Sequence, residues 1–440
     1  MACCQGYPFV AGGERVFEVE TVRIAYGSGA IAGLGASARL LGMRRVALFS
    51  DPAVAELPRF AAARAELAAA GCDVQTYTRV RVEPTNASFA DAIAFAADAN
   101  ADGYVSIGGG STIDTAKAAN LYATHPAEFL SYVNAPVGEG RPVPGPLRPH
   151  IACPTTAGTG SECTGIAIFD HLPLAAKTGI ASRRLRPTLA IIDPDWTATL
   201  PPTVVACAGF DVLAHALESY TARPYTRRAA ALPGARPMSQ GANPFSDLAC
   251  REALSILGTY FVRAVCDPHD AQARERMMFA ATLAGIGFGN AGVHLPHAMA
   301  YAVAGLVRDF RPPDYPAAEP IVPHGMAVIL NAPAVVRRTA PADPARHRSA
   351  ASSLGAAAAA TAGDAEIGDV LAAHIATLMR QTGMPPDLHA VGYSPADLDP
   401  LVAGTSAQRR LLENAPCAVD AALLHALFAD ALGAGTAAVR

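Results

Sequence analysis

Residues 104–114 read Tyr-Val-Ser-Ile-Gly-Gly-Gly-Ser-Thr-Ile-Asp: an apolar strand, Tyr104 to Ile107, runs into Gly108-Gly109-Gly110-Ser111 and opens a helix. Glycines let the backbone approach an anion closely, and a helix N-terminus offers free N–H groups and the positive end of its dipole. Ser111 with Asp114 three residues on resembles a capping box in which Asp replaces Glu. The stretch matches neither the GxGxxG nor the Walker pattern, and a tight βα turn with no ligand would use the same residues. Working outward, Val46 to Phe49 is a second short apolar strand, ending at Ser50-Asp51-Pro52, and Ile151 to Cys153 and Leu189 to Ile192 are two more. Helical stretches at Ala61 to Ala70 and Ala90 to Ala97 lie between them, and Val16 to Ile24 reads as an early extended segment. Short apolar strands alternating with helices predict a parallel sheet covered on both faces.

Beyond the proline-rich stretch 193–202 the strand signals stop. Val204 to Tyr220, Ala249 to Val265, Ala271 to Ala284, Ala298 to Leu306 and the 365–380 region carry helical periodicity, while 224–244 and 311–325 read as loops. The expected organisation is an α/β domain, 1–198, followed by an all-helical domain, 199–440.

Composition removes several function classes. The 440 residues are 51% hydrophobic and 16% charged, with 34 Lys and Arg against 38 Asp and Glu. That is enough apolar material for a large core, and too little positive charge for a nucleic-acid binder. No apolar run reaches about 18 residues, and the N-terminus lacks the order of a signal peptide, so a cytoplasmic protein with no membrane partner is expected. Nine scattered cysteines, only Cys3 and Cys4 close together, predict reduced and mostly buried thiols. Only two of the basic residues are lysines, Lys117 and Lys177.

Two further stretches carry chemistry. Pro154-Thr155-Thr156-Ala157-Gly158-Thr159-Gly160-Ser161-Glu162 follows a buried strand and suits a loop around a polar ligand. Asp51, at the end of an earlier strand, could accept hydrogen bonds from a ribose, or simply cap the next turn. In Gly209-Phe-Asp211-Val-Leu-Ala-His215-Ala-Leu-Glu218, Asp211 and His215 are i and i+4, so one helical face presents a carboxylate and an imidazole. His294, His297 and His324 lie in motif-like segments further on. One carboxylate with three imidazoles is a plausible site for Fe(II), or for Zn(II).

In order and spacing, GGGSTIDTAKAAN, PTTAGTGSE, GFDVLAHALESY, HAMAY and PHG resemble the iron-containing (group III) alcohol dehydrogenases. Within that family, RVEPTNASF (81–89), KAANLYA (117–123), GNAGVHLPHAM (289–299) and LVAGTSAQRRLLENAPC (401–417) are similar to the hydroxyacid–oxoacid transhydrogenase branch. The resemblance implies a dehydroquinate synthase-like fold, with metal and NAD meeting in a cleft between the domains. It implies metal ligation by Asp211, His215, His297 and His324. Pyrophosphate contacts would come from Gly109, Gly110, Ser111 and Asp114, and further nucleotide contacts from Thr155, Thr156 and Thr159. Asp51 matches a position that favours NAD over NADP, and Lys177 a lysine near the nucleotide, taken here as functional. Where many family members have a second histidine credited with proton transfer, this chain has Tyr301. His294 matches nothing in the general pattern and is assigned to the substrate side.

The implied chemistry is hydride transfer from 4-hydroxybutyrate through bound NAD to 2-oxoglutarate, giving succinate semialdehyde and 2-hydroxyglutarate, with the metal acting on the substrate hydroxyl. Both acids carry a remote carboxylate, for which Arg183 is the candidate anchor. Alternatives are an NAD-dependent alcohol or 4-hydroxybutyrate dehydrogenase that releases NADH, the related sugar-phosphate cyclase and glycerol-phosphate dehydrogenase scaffold, and a non-catalytic metal-binding protein. A homodimer is the expected assembly.

Overall fold

The computed structural model describes residues 7–174, 176–317 and 319–433 and divides into two compact units, 21–199 and 1–20 with 200–440. Cys3 and Cys4 lie outside the described residues.

In the first unit, β1 (Arg23–Tyr26), β2 (Arg45–Phe49), β3 (Asp73–Tyr77), β4 (Gly103–Gly108), β5 (His150–Pro154) and β8 (Leu189–Ile192) form one sheet in the order β1-β8-β5-β4-β2-β3, every pair parallel. β4, β5 and β8 are buried along their whole length, which is why they are mainly apolar, the buried Ser106 of β4 and His150 of β5 satisfying each other at 2.8 Å. Alternate residues feed opposite faces. Val46, Leu48, Val105 and Ile107 pack with α1 (Leu34–Leu40) and α3 (Pro58–Ala69), after the short α2 (Pro52–Ala55). Ala47, Phe49 and Tyr104 pack with α4 (Asn86–Ala99) and α5 (Gly110–Thr124). Phe49 is fully buried among Tyr77, Phe95 and Tyr104, so Phe49→Ala would cost about 3–5 kcal/mol.

Three features differ from the sequence expectation. β3 is a polar edge strand, half-exposed along most of its length, and so carries no apolar run. An antiparallel hairpin, β6 (Ile166–His171) with β7 (Ala176–Ala181), joins the parallel sheet's unit. The domain boundary is also corrected: residues 7–20 group with the helical unit. Glu14 pairs with Arg236 at 3.1 Å, and the backbone N–H groups of Glu18 and Glu20 donate to Gln240 and Asn290. Of Val16 to Ile24, only the last two residues enter a strand.

Every later described element is helical: α6 (Pro202–Thr221), α7 (Pro244–Cys266), α8 (Ala271–Ala291), α9 (Leu295–Gly305), α10 (His324–Thr339), α11 (Pro344–Ser353), α12 (Ile367–Gln381), α13 (Leu398–Ser406), α14 (Arg409–Leu412) and α15 (Ala421–Ala431). α6 is buried almost all round, the mark of a central helix. Among the described residues no single helix is long and apolar enough to cross a membrane. The seven described cysteines form no disulfide, and five are buried.

Candidate active site

In the sheet unit, the predicted loops gather at the carboxyl ends of neighbouring strands. Asp51 follows β2, the glycine loop follows β4 and the threonine loop follows β5. The chain runs from β2 to β3 in one direction and then to β4 on the other side of β2. The switch point therefore falls between Asp51 and Gly109, where open α/β sheets bind ligands. Gly109 is the N-cap of α5 and no side chain caps that end. The capping box expected from Ser111 and Asp114 does not form, because the helix starts two residues too early for it. Ser111 Oγ instead accepts from Glu83 N at 3.1 Å. A Cβ on Gly110 would stand 2.5 Å from Thr159 Cγ2, and one on Gly109 3.4 Å from the Thr156 side chain. The two loops thus fit against each other only because Gly110 carries no side chain, while Gly109 stands at ordinary contact distance. Thr155 is buried, and its N–H donates to Gly108 O.

Several predicted residues here hold the fold together. Asp51 Oδ1 caps α2 through Val54 N at 3.0 Å. Asp114 accepts from Ser161 Oγ, from Ile168 N at 2.9 Å and from Lys117 Nζ at 3.4 Å. Its carboxylate is committed to neighbouring elements, which departs from the expected pyrophosphate contact. Lys177 pairs with Glu83 at 2.6 Å and Asp170 at 2.9 Å. Burial alone would lower its pKa, but the two carboxylates raise it above the ordinary lysine value. An ammonium held this way keeps its proton at neutral pH, which speaks against the catalytic role expected of Lys177. Arg183 is half-buried at the start of a single turn, Arg183–Leu185.

In the helical unit, four predicted ligands converge. Asp211 and His215 lie one turn apart on α6, His297 is on α9 and His324 is the first residue of α10. The Nε2 atoms of His215 and His297 lie 3.6 Å from Asp211 Oδ1, and that of His324 lies 3.7 Å away. These separations exceed a hydrogen bond, yet are close to the roughly 3.4 Å between atoms sharing one tetrahedral ion. Gly325 permits the approach: a Cβ there would stand 1.9 Å from Cys207 O on α6. Phe288 stacks on His215, ring centroids 4.0 Å apart.

The residues fit a divalent metal. Asp211 Oδ1 and His297 Nε2 are buried and have no hydrogen-bond partner, an expensive arrangement unless something else satisfies them. Burial would raise the Asp211 carboxyl, but the surrounding imidazoles hold it below the usual carboxylate range. Burial, only partly opposed by Asp211, pushes His215 down to about 4, so it is neutral and ready to ligate near pH 7. Burial would lower His297 too, but Glu218 and Asp211 carry it up to about 9.

Glu218 closes the stretch that begins at Gly209 and carries Asp211 and His215. It lies seven residues after Asp211 on the same face of α6. Its Oε1 is 2.6 Å from His297 Nδ1, and its Oε2 accepts from His294 N at 2.6 Å. It leaves His297 Nε2 facing the ligand cluster, the outer-shell role a carboxylate plays behind a metal-bound imidazole. His294 caps α9: Nδ1 accepts from Leu295 N, and Nε2 lies 3.1 Å from Thr221 Oγ1. Both ring nitrogens are engaged, which speaks against its assignment to the substrate side. Tyr301, one turn beyond His297 on α9, lies with its ring centroid 6.1 Å from that of His324.

The sequence profile of the iron-containing alcohol dehydrogenases matches residues 21–194, and that of the C-terminal domain of the Fe-containing alcohol dehydrogenase family matches 237–432. The mouse mitochondrial hydroxyacid–oxoacid transhydrogenase is 48% identical over 418 residues, which cover 94% of this chain and 90% of that protein. Among solved structures, a 1,3-propanediol oxidoreductase superposes with a TM-score of 0.83 at 26% identity, covering 95% of this chain and all of its own. The sulfoacetaldehyde reductase of Bifidobacterium kashiwanohense, solved with NAD+, has the same fold, with a TM-score of 0.77 at 23% identity, 95% of this chain and 99% of that one.

Proposed function

The chain belongs to the iron-containing alcohol dehydrogenase family and is an oxidoreductase acting on CH–OH groups, and from that premise we propose that it is a hydroxyacid–oxoacid transhydrogenase. The donor is 4-hydroxybutyrate and the acceptor 2-oxoglutarate, giving succinate semialdehyde and 2-hydroxyglutarate, with NAD retained between the half-reactions. The observation that carries the reading is the convergence of three imidazoles on Asp211 Oδ1, backed by Glu218. The relative's name supports the choice of reaction.

When bound, the divalent metal supplies Lewis acidity at the substrate oxygen, and the nicotinamide takes up and returns the hydride. Asp211, His215, His297 and His324 hold the metal, for which we assign Fe(II), with Zn(II) chemically acceptable to the same donors. Glu218 fixes the tautomer of His297, and Phe288 holds the His215 ring in plane. Gly109, Gly110 and Ser111, with Thr155, Thr156 and Thr159, form the dinucleotide cradle, and the second carboxylate oxygen of Asp51 receives the ribose. The NAD+ in the similarly folded sulfoacetaldehyde reductase supports that assignment. Tyr301 Oη carries the proton that the second histidine carries in many family members. We place the protein in the cytoplasm as a homodimer acting on small acids, while the mouse relative is named mitochondrial.

The test is the absorbance of reduced nicotinamide when Fe(II)-loaded protein is given 4-hydroxybutyrate without added NAD. A rise limited to the protein concentration, reversed by 2-oxoglutarate, is expected. A continuous rise that depends on added NAD and ignores 2-oxoglutarate would instead mean a dehydrogenase that releases NADH.

A further inference from the structure

The stretch Val82-Glu83-Pro84-Thr85 joins β3 to α4, and at Glu83 its backbone turns left-handed, with φ at 54°. Two things disfavour that conformation. A Cβ crowds the neighbouring carbonyl, and the residue before a proline is driven toward extended backbone. Among the described residues the other non-glycine positions with positive φ are Asn100 and Asp314, residue types that tolerate it, and neither precedes a proline. Strain of this kind persists only where the surroundings impose it, and here they do so from three directions. Lys177 on β7 is buried and donates to Glu83 Oε2 at 2.6 Å. Pro84 O accepts from Asp170 N on β6 at 2.7 Å. Thr85 caps α4, its Oγ1 accepting from Ser88 N at 3.1 Å.

The strained backbone aims one N–H group. Glu83 N donates at 3.1 Å to Oγ of Ser111, the second residue of α5 and the last of the glycine loop. A hydroxyl has one proton and two lone pairs. With a lone pair turned to Glu83 N, the Ser111 proton points elsewhere, and among the described residues that hydroxyl donates to no acceptor. Ser111 is half-buried at the helix end that no side chain caps. A pyrophosphate oxygen only accepts, so it suits a donor held in place beforehand at such an end. Extended backbone at Glu83 would swing the N–H away, and the hydroxyl would be free to turn a lone pair toward the anion instead.

On the reading of the glycine loop as a dinucleotide cradle, on which this rests, we propose that Glu83 is a positioning residue for the nucleotide: anchored by Lys177, it fixes Ser111 Oγ as a hydrogen-bond donor to the pyrophosphate. Lys177 then serves nucleotide binding through Glu83, without touching the nucleotide itself.

The probe is NADH, titrated into metal-loaded protein freed of bound nucleotide, with its fluorescence giving Kd. Ser111→Ala should weaken binding by about tenfold or more, the worth of a hydrogen bond to a charged group. Glu83→Ala should weaken it by a similar factor, yet add little in the Ser111→Ala chain, because both act through one hydroxyl. Glu83→Gly should bind several-fold more tightly than Glu83→Ala: both lose the carboxylate, but glycine holds the positive φ without strain. Glu83→Gln, whose amide oxygen still accepts from Lys177, keeps the anchor and should stay within about threefold of the wild type. That variant remains measurable if Glu83→Ala does not fold. Full additivity of Glu83→Ala and Ser111→Ala would overturn the proposal, and so would equal affinities of Glu83→Gly and Glu83→Ala. Markedly tighter binding by Glu83→Gln would mean that the charge acts on the nucleotide directly, and would overturn it as well. If the wild type does not bind NADH, the cradle reading falls and the proposal with it. If the wild type and Ser111→Ala bind NADH equally well, the cradle reading stands and the proposal alone falls.

Discussion

Replacing Glu218 by Gln keeps the shape of the side chain and removes its charge. The wild-type carboxylate is 1% exposed and receives two short hydrogen bonds, from His297 Nδ1 and from His294 N. A glutamine has one acceptor and one donor end, so one of those N–H groups must face an NH2 group. That mismatch should cost on the order of 1–3 kcal/mol of stability. Loss of the carboxylate behind a ligating imidazole should weaken metal binding by roughly 10–100-fold. A second effect opposes the first. With His297 at about 9, metal binding near neutrality must displace its proton, a handicap of roughly two pH units, or about 2.7 kcal/mol. Glu218→Gln lowers that pKa and relieves part of the handicap. The deficit of the variant should therefore be small near neutral pH and widen once the pH passes the wild-type value, where His297 is neutral in both proteins. The assay is competition for Zn(II) with a chelator of known affinity, at about pH 7 and about pH 9.5. Equal affinity at both pH values would refute the orienting role of Glu218. A deficit independent of pH would refute the proton competition at His297.

Gly110→Ala should push the threonine loop aside, because its Cβ would lie 2.5 Å from Thr159 Cγ2. NAD affinity should fall, and Thr159→Gly in the same chain, which removes all three side-chain atoms within 3 Å of that Cβ, should recover part of it; loss without recovery would mean that the clash is not the cause. Lys177→Met leaves Glu83 and Asp170, both partly exposed, without their shared cation and should cost about 3 kcal/mol in urea unfolding. A shift in the pH–rate profile with little change in stability would restore a proton-transfer role to Lys177. Burial holds His150 down to about 3 against an ordinary value of 6.5. The unfolded imidazole takes up a proton below about 6.5 and the folded one does not, so the unfolded state binds more protons in that window. Stability from this group is present above about 6.5 and is lost as pH falls toward 3, by up to roughly 4 kcal/mol. Unfolding midpoints that fall less steeply below pH 6.5 in His150→Asn than in the wild type would bear this out; identical slopes would not.

The parallel sheet could be read from the sequence because its central strands are buried on both sides, so Leu189 to Ile192 is apolar without interruption and Tyr104 to Ile107 is broken only by Ser106, whose hydroxyl meets the buried His150 ring. β3, with the sequence DVQTY at the sheet's edge, gives no such signal. Nothing in residues 7–20 says which unit they join; that is decided by Arg236, Gln240 and Asn290, more than two hundred residues away. In the metal cluster, the i and i+4 spacing of Asp211 and His215 follows from one helix turn, and extending that face by three residues would have reached Glu218. His297 and His324 come from other helices, and no local spacing encodes their meeting at Asp211 Oδ1. Lys177 drew a functional reading because lysine is scarce in the chain. The two carboxylates that account for it lie on β6 and on the segment before α4, both invisible as partners in one dimension.

The central claim is that hydride passes between two acids on a nicotinamide that stays bound. The most direct measurement uses 4-hydroxybutyrate deuterated at its carbinol carbon, mixed with 2-oxoglutarate and excess unlabelled free NADH. Deuterium recovered at C2 of 2-hydroxyglutarate, with the free NADH pool remaining unlabelled, is the predicted result. Deuterium appearing in free NADH, and in 2-hydroxyglutarate only in proportion to that pool, would contradict it.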